Sequence, residues 1–222
     1  MDKNKPITEQ DFKQNRLYKG DHPALKKRYP NMKLFKERGN AGGAFSTIYK
    51  ATDTLDNNKP KAIKLLESTS AEDEMLRRIF GELHSHSKIT EKRPYVTTCE
   101  EFYMKAVPDE DDETIIKFNI YMVFEFFEMG MLKDLIENNR AQGKSMSEYE
   151  ASQLLEQLVR GLAFLQSFSG IFHRDLKPDN IAVIAPGKYS IIDLGESQQI
   201  DPENLKHSIM KYVSMNNIKG RI

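Results

Sequence analysis

Eight consecutive residues in the last quarter of the chain carry the side chains best suited to chemistry. They read His173-Arg174-Asp175-Leu176-Lys177-Pro178-Asp179-Asn180. The run supplies a base at Asp175, a phosphate-binding cation at Lys177 and a metal-binding amide at Asn180. These are the functional groups needed to transfer a phosphoryl group from a metal-bound nucleotide to a hydroxyl.

Three more charged side chains stand where they could complete a phosphate and metal site. Asp193 opens the tripeptide Asp193-Leu194-Gly195, directly after a short apolar run. Lys64 closes the β-prone tripeptide Ala62-Ile63-Lys64. Glu82 falls within residues 71–89, where apolar side chains recur at helical spacing.

Together these motifs resemble the catalytic domain of eukaryotic-type serine/threonine protein kinases. The octapeptide is similar to the catalytic loop, and its Lys177 fits the serine/threonine pattern. Asp193-Leu194-Gly195 resembles D-F-G with Leu in place of Phe, and Ala62-Ile63-Lys64 resembles the end of V-A-I-K. The resemblance implies ATP and Mg²⁺ as cofactors.

The resemblance also implies a role for each polar group near the catalytic loop. Asp175 would orient or accept the proton of the substrate hydroxyl, and Lys177 would reach the transferring phosphate. Asn180 and Asp193 would bind the metal ions, and Gly195 would permit the backbone turn that presents Asp193.

At the nucleotide end, the resemblance implies that Lys64 binds the α- and β-phosphates of ATP and pairs with a helical glutamate. Spacing favours Glu82 for this pair. Glu72 and Glu74 are competitors that lie nearer the start of the helix, where carboxylates often serve only the helix dipole.

The glycine-rich loop of the family is only partly preserved. In the best register, Ala41 and Ser46 replace the first and third glycines, Gly43 is the middle glycine, and Ile48 replaces the valine. The resemblance implies that Gly43 and Ser46 cover the phosphates.

The adenine ring would lie between apolar side chains and the segment that joins the two lobes. Ile48 and Ala62 would sandwich the ring, and Phe124 would lie behind it. Glu125 and Phe127 would offer backbone groups to the edge of the adenine.

The elements that must position these residues predict an α+β, protein-kinase-like two-lobe fold. Residues 1–31 are predicted to form a polar, extended or weakly ordered leader, because they are rich in polar side chains and proline. Residues 32–127 are predicted to form the β-rich N-lobe and hinge. Residues 128–222 are predicted to form a helical, incomplete C-lobe that ends in the activation segment.

Composition narrows the class of protein. Lys+Arg and Asp+Glu both number 33, so no net field favours nucleic acid or an anionic membrane. The single cysteine excludes an internal disulfide. No apolar run approaches the roughly 20 residues of a membrane helix. These features predict an intracellular, cytoplasmic protein without membrane insertion or nucleic-acid binding.

The A-P-E motif that follows D-F-G in the family is missing from the sequence. The chain could be a fragment, could pair with a subunit that complements the C-lobe, or could be a reduced module. Two functions therefore stay open. One is an ATP-dependent serine/threonine protein kinase acting on a protein substrate, and the other is a kinase-like structural or regulatory module, a pseudokinase, in a larger assembly.

Overall fold

A computed structural model of the chain describes residues 6–39, 45–91 and 94–199. The helices in these ranges are α1 (Glu9–Lys13), α2 (His22–Arg28), α3 (Asp73–Lys88), α4 (Leu132–Ala141) and α5 (Glu148–Ser169). The strands are β1 (Tyr18–Asp21), β2 (Lys33–Gly39), β3 (Phe45–Asp53), β4 (Lys59–Thr69), β5 (Glu101–Pro108), β6 (Ile116–Glu125), β7 (Ile171–Phe172), β8 (Ile181–Ala185), β9 (Lys188–Ile191) and β10 (Gln198–Gln199).

The first lobe is built on a six-stranded sheet in the order β1-β5-β6-β4-β3-β2. All neighbours are antiparallel except β1, which runs parallel to β5. Successive side chains of a strand point to opposite faces. In β4, Ile63 and Leu65 therefore pack towards α2, whereas Leu66 packs towards α3. Both faces of the sheet are covered.

The expectation that residues 1–31 are extended or weakly ordered is wrong for the part that the structure describes. Phe12, Leu17, Leu25 and Tyr29 are all buried in the cores on either side of the sheet. Each lies in a stretch dominated by polar side chains, so composition hides it. These residues pack as part of the first lobe.

A buried polar network ties the end of α2 to the sheet. Arg28 binds both carboxylate oxygens of Asp53, at 2.9 and 2.8 Å, and Glu101 at 2.6 Å. The hydroxyl of Tyr29 donates to Glu101 at 2.7 Å. The hydrogen bond from Arg28 lowers the pKa of Asp53. Because both acids are paired and bonded, the charges can be buried without a large penalty.

The second lobe contains α4, α5 and two small sheets in its described part. Ser147 and Glu150 form a capping box at the start of α5, and Gly170 ends the helix. β8 and β9 form a hairpin under α4, and β10 pairs with β7. The predicted α+β class, with a β-rich lobe followed by a helical lobe, is confirmed. Residues 200–222, predicted to continue the activation segment, lie outside the described residues.

The long helix α5 leaves part of its apolar side uncovered by the described chain. Leu155 and Val159, one turn apart, are 61% and 56% exposed, and Phe168 near the end of the helix is 79% exposed. None of the helices in the described ranges is long and apolar enough to cross a membrane.

Where α5 crosses the sheet of the second lobe, Gly161 allows a close approach. A Cβ atom at this position would lie 2.9 Å from the Cδ1 atom of Ile191 and 2.9 Å from the backbone carbonyl oxygen of Tyr95. The backbone cannot move aside as a flexible side chain can. Gly161 therefore sets the distance between α5 and β9, the strand that leads into Asp193.

We expect Gly161→Ala to lower the free energy of unfolding by about 1–3 kcal/mol, because the clash outweighs the better helix propensity of alanine. Gly81 in α3 is the matched control, since a Cβ there meets nothing within 4 Å. Gly81→Ala should raise stability by roughly 0.5–1 kcal/mol. Urea unfolding of both variants measures the two effects, and a stabilising Gly161→Ala would contradict this view of the packing.

Candidate active site between the lobes

A cleft of about 950 Å³ lies between the two lobes. Its walls include all the site residues predicted from the sequence that fall in the described ranges: Ser46, Ile48, Ala62, Lys64, Glu82, Glu125, Phe127, Asp175, Lys177, Asn180 and Asp193. Gly43 lies outside the described residues. The structure therefore gathers residues that are more than a hundred positions apart around one cavity.

The ammonium of Lys64 lies between two carboxylates in the cleft. Its Nζ atom lies 2.8 Å from Oε1 of Glu82 and 3.2 Å from Oδ1 of Asp193. Glu72, one of the competing partners, instead accepts hydrogen bonds from the backbone N–H of Thr69 and the hydroxyl of Ser68. The structure thus joins β4, α3 and the segment after β9 through one cation.

Burial and charge act in opposite directions on this cluster. Burial alone would lower the pKa of Lys64, but the charges of Glu82 and Asp193 outweigh it and raise that pKa above its ordinary value. Burial would raise the pKa of Asp193, yet Lys64 lowers it to about 2. Lys64 is therefore a cation and Asp193 an anion at neutral pH.

The role expected for Gly195 needs a correction. The left-handed backbone belongs to Asp193 itself, with φ of 66°. Gly195 instead provides space, because a Cβ there would lie 3.2 Å from Oδ1 of Asp193 and 3.3 Å from Oε2 of Glu82. Its N–H also donates to Asp193 at 3.2 Å. A side chain at this position would crowd both carboxylates.

The octapeptide 173–180 folds around the carboxylate of Asp175. Lys177 Nζ lies 2.6 Å from Oδ2 of Asp175, and the Nδ2 atom of Asn180 donates to the same oxygen at 2.9 Å. Asn180 Nδ2 also donates to the backbone carbonyl of Asp175 at 2.9 Å. The base, the cation and the amide predicted from the sequence are therefore in mutual contact.

His173 links this loop to the strand that carries Asp193. Its Nδ1 atom accepts from the Asp175 N–H at 3.3 Å, so Nε2 is the nitrogen that donates to the carbonyl of Ile192 at 3.0 Å. The Ile192 N–H donates in turn to the Asn180 carbonyl at 3.0 Å. Both ring nitrogens of His173 are thus engaged with backbone groups, which gives this residue an architectural role.

Two non-glycine residues beside the cleft hold left-handed backbone conformations. They are Arg174, with φ of 68°, and Asp193. Such conformations cost of order 1 kcal/mol or more for a residue with a side chain, and they concentrate at functional sites. Arg174 also donates to the side chain of Gln198 at 2.8 Å, which fixes the segment that follows Asp193.

The oxygen of the Asn180 side chain is an acceptor that could bind a hard cation. Oδ1 of Asn180 is buried and has no hydrogen-bond partner in the described structure. The bond from the amide nitrogen to Asp175 fixes the orientation of this side chain. A buried acceptor left without a partner is costly unless a ligand satisfies it. The described residues hold no group of three or more His, Cys, Asp or Glu side chains that could bind a metal. Mg²⁺ needs fewer, since it commonly takes one or two protein oxygens together with phosphate and water.

Another part of the cleft wall is apolar and aromatic. Ile48, Ala62 and Phe124 line it, and Ala62 lies directly across from Phe124 in the β4–β6 ladder. β6 ends at Glu125, so the chain leaves the ladder just where Phe127 lines the cavity. A flat heterocycle would find apolar walls here next to strand-end backbone.

Sequence reasoning missed several contributors to this part of the cleft wall. Phe35 of β2 lines the cleft and packs edge-on against Phe126, with ring centroids 5.2 Å apart. Lys50 lies 4.2 Å from the centroid of Phe126 and pairs with Glu128 at 2.7 Å. The sequence around Phe35 is typical of a strand, but no local pattern indicates that Phe35 contacts Phe126, which follows β6.

His86 was also missed as a neighbour of the charged cluster. It is fully buried one turn after Glu82, with Nε2 3.9 Å from Oε1 of Glu82. Its Nδ1 accepts from the backbone N–H of Cys99 at 3.2 Å, so the neutral ring carries its proton on Nε2. Burial lowers the pKa of His86 to about 3, and the charge of Lys64 adds to the shift.

Comparison with known proteins agrees with this geometry. A family model described as the protein kinase domain matches residues 38–216. MAP kinase kinase kinase SSK2 of Saccharomyces cerevisiae is 30% identical over 170 residues, 77% of this chain and 10% of that protein. CBL-interacting protein kinase 33 of Oryza sativa subsp. japonica is 32% identical over 170 residues, 75% of this chain and 33% of that protein.

Misshapen-like kinase 1 of Rattus norvegicus is 26% identical over 159 residues, 72% of this chain and 11% of that protein. The chain thus spans between 10% and 33% of the length of these three relatives. The residues matched by the family model include the polar residues of the cleft, from Ser46 to Asp193.

The buried His86 predicts a pH dependence of stability. Between the ordinary histidine pKa of 6.5 and the folded value of about 3, only the unfolded state binds the proton. Stability should therefore fall as pH falls through this window, with a contribution of about 1.4 kcal/mol per pH unit from this one residue.

We expect His86→Leu to remove that contribution from the slope of unfolding free energy against pH. Urea titrations of both proteins from pH 7 to 4.5 measure the two slopes. Absolute stability is not the readout, because leucine leaves the Cys99 N–H without its acceptor. Parallel curves for the two proteins would contradict the burial of a neutral His86.

Proposed function

This chain belongs to the protein kinase family, and from that premise we propose that it transfers the γ-phosphate of Mg-ATP to a serine or threonine hydroxyl of a protein. One observation carries the proposal. Both polar constellations, Lys64 with Glu82 and Asp193, and Asp175 with Lys177 and Asn180, line the same cleft.

The residues of the cleft fit ATP and Mg²⁺. The apolar part, with Ile48 and Ala62, would hold the adenine, and the backbone near Glu125 and Phe127 would meet its edge. Lys64 would bind phosphate oxygens while Glu82 keeps its ammonium in place. When bound, Mg-ATP supplies the phosphoryl group and shields its charge.

The free acceptor of Asn180 and the carboxylate of Asp193 are the two protein oxygens suited to hold the metal. Asp193 remains ionised because Lys64 lowers its pKa. Asn180 presents Oδ1 because Asp175 fixes its nitrogen. Hard oxygen ligands of this kind are those that Mg²⁺ prefers.

Asp175 would orient the substrate hydroxyl and accept its proton. Lys177 and Asn180 both contact Oδ2 of Asp175, and His173 holds its backbone. These contacts limit rotation of the carboxylate, and pre-positioning of this kind is the main contribution a protein makes to phosphoryl transfer. Lys177 would place a positive charge beside the phosphate in transit.

A second function, that of a kinase-like module in a larger assembly, is favoured by one specific observation. Leu155 and Val159, one turn apart on α5, both have exposed apolar side chains in the described structure. Monomeric soluble proteins rarely expose large contiguous apolar patches. A partner subunit that covers α5 would account for them.

We expect Asp175→Asn to lower phosphate transfer to a generic protein substrate by about 10²–10⁴-fold, because the variant keeps the shape of the side chain but loses the base. Nucleotide binding, measured as the rise in melting temperature with Mg-ATP, should persist. Asp56→Asn is the matched control, since it removes a carboxylate from an exposed turn remote from the cleft and should leave transfer unchanged.

The outcomes separate the two functions. Transfer that survives Asp175→Asn would contradict the role of Asp175. A thermal shift with Mg-ATP in the unaltered protein, without transfer, would favour the module. The absence of any shift would count against nucleotide binding in both.

A further inference from the structure

The carbonyl end of α3 is held by an arginine from the far N-terminal part of the chain. Arg16 donates from Nε to the carbonyl of Ser87 at 2.6 Å. Its Nη2 atom donates to the carbonyls of Ile89 at 2.8 Å and His86 at 3.4 Å. The last carbonyls of a helix lack partners within it and carry partial negative charge, so a guanidinium is well suited to bind them.

The segment that carries Arg16 also packs along α3. Phe12 is fully buried, with its ring centroid 5.4 Å from that of Phe80 in α3 and 5.8 Å from that of Phe118 in β6. Ile7 and Leu17 belong to the same core, which also includes the apolar residues of α3. Residues 7–17 therefore bridge the helix and the sheet.

This bridge is itself fixed to the sheet at its other end. The Phe102 N–H donates to the carbonyl of Leu17 at 2.9 Å, and β1 then pairs with β5. Beyond it, Arg28 is bound to Asp53 and Glu101. We call residues 7–28 the clamp segment, because they connect the sheet to the end of α3.

The position of α3 relative to the sheet decides whether Lys64 meets its partner. Lys64 lies on β4, within the sheet, and Glu82 lies on α3, one helical turn before the His86 carbonyl that Arg16 binds. A helix moves as a stiff unit over one turn. A shift at its carbonyl end would therefore change the 2.8 Å separation between Lys64 and Glu82, and displacements of about 1 Å can cost 10²-fold in rate.

We propose that Arg16 is a positioning residue that holds α3 against the sheet, so that Glu82 stays in contact with Lys64. The clamp segment then restrains the position of Glu82 relative to Lys64, and loss of the Arg16 contacts would weaken that restraint. The inference that this affects nucleotide binding rests on the proposed function. The inference that Arg16 restrains α3 rests only on the contacts described above.

The first test measures α3 without nucleotide. In Arg16→Ala, hydrogen exchange of the amides at 83–88 should become about fivefold faster, the effect of losing one charged contact at a helix end. Arg160→Ala is the matched control, because Arg160 makes an exposed pair with Glu156 on α5. Exchange in α3 should be unchanged in that variant. Unchanged exchange in Arg16→Ala would overturn the proposal.

The second test asks whether Arg16 acts through Glu82. Arg16→Ala should weaken Mg-ATP binding about fivefold, by the same lost contact. In a Glu82→Gln background it should cause no further loss, since the contact that it protects is already broken. A loss of equal size in both backgrounds would overturn the positioning role and leave only a general contribution to stability.

Arg16→Lys keeps a cation at the helix end with a simpler donor, and it should recover part of the exchange protection. If Arg16→Ala does not fold, Arg16→Lys replaces it in the exchange measurement. Faster exchange at 83–88 in Arg16→Lys, at a melting temperature close to that of the unaltered protein, would support the restraint of α3 by Arg16. If the unaltered protein does not bind Mg-ATP, the proposed function fails, and the exchange measurements alone decide whether Arg16 restrains α3.

Discussion

The buried ammonium of Lys64 is the constraint on which the rest of the molecule depends. A single cation in a low-dielectric cleft needs anionic partners, and it has two, Glu82 and Asp193, from different elements. The pair of acids can approach each other only because the cation lies between them. The sheet, α3 and the segment after β9 are therefore fixed relative to one another by one shared charge.

In the second lobe, hydrogen bonds rather than a buried ion pair join separate elements. His173 uses both ring nitrogens to join the backbone of Asp175 to Ile192, and Ile192 is joined in turn to Asn180. The strand that leads to Asp193 and the loop that carries Asp175 thus form one connected unit. α5 packs closely against Ile191, directly before Ile192, because Gly161 has no side chain.

Offsets within short segments mark the polar residues of the octapeptide and of Asp193-Leu194-Gly195, but it was the family resemblance that implied their meeting with Lys64 and Glu82 across one cleft. The helix that carries Glu82 could be predicted because its apolar side chains recur at helical spacing. The N-terminal order could not, since Phe12 and Leu25 gain their burial from partners far along the chain. The roles of Gly195 and His86 depend on distances between elements, which no local pattern encodes.

The four-residue strand β1 has a consequence for the behaviour of the protein in concentrated solution. Without it, the eight-residue β5 would be an open sheet edge, with unpaired backbone groups ready to join a strand of another molecule. β1 occupies that edge but is short, and its register is interrupted between Tyr18 and Gly20. As the new edge of the sheet, β1 is therefore a poor template for a strand of another molecule. The N-terminal residues that complete the first lobe also discourage self-association at this edge.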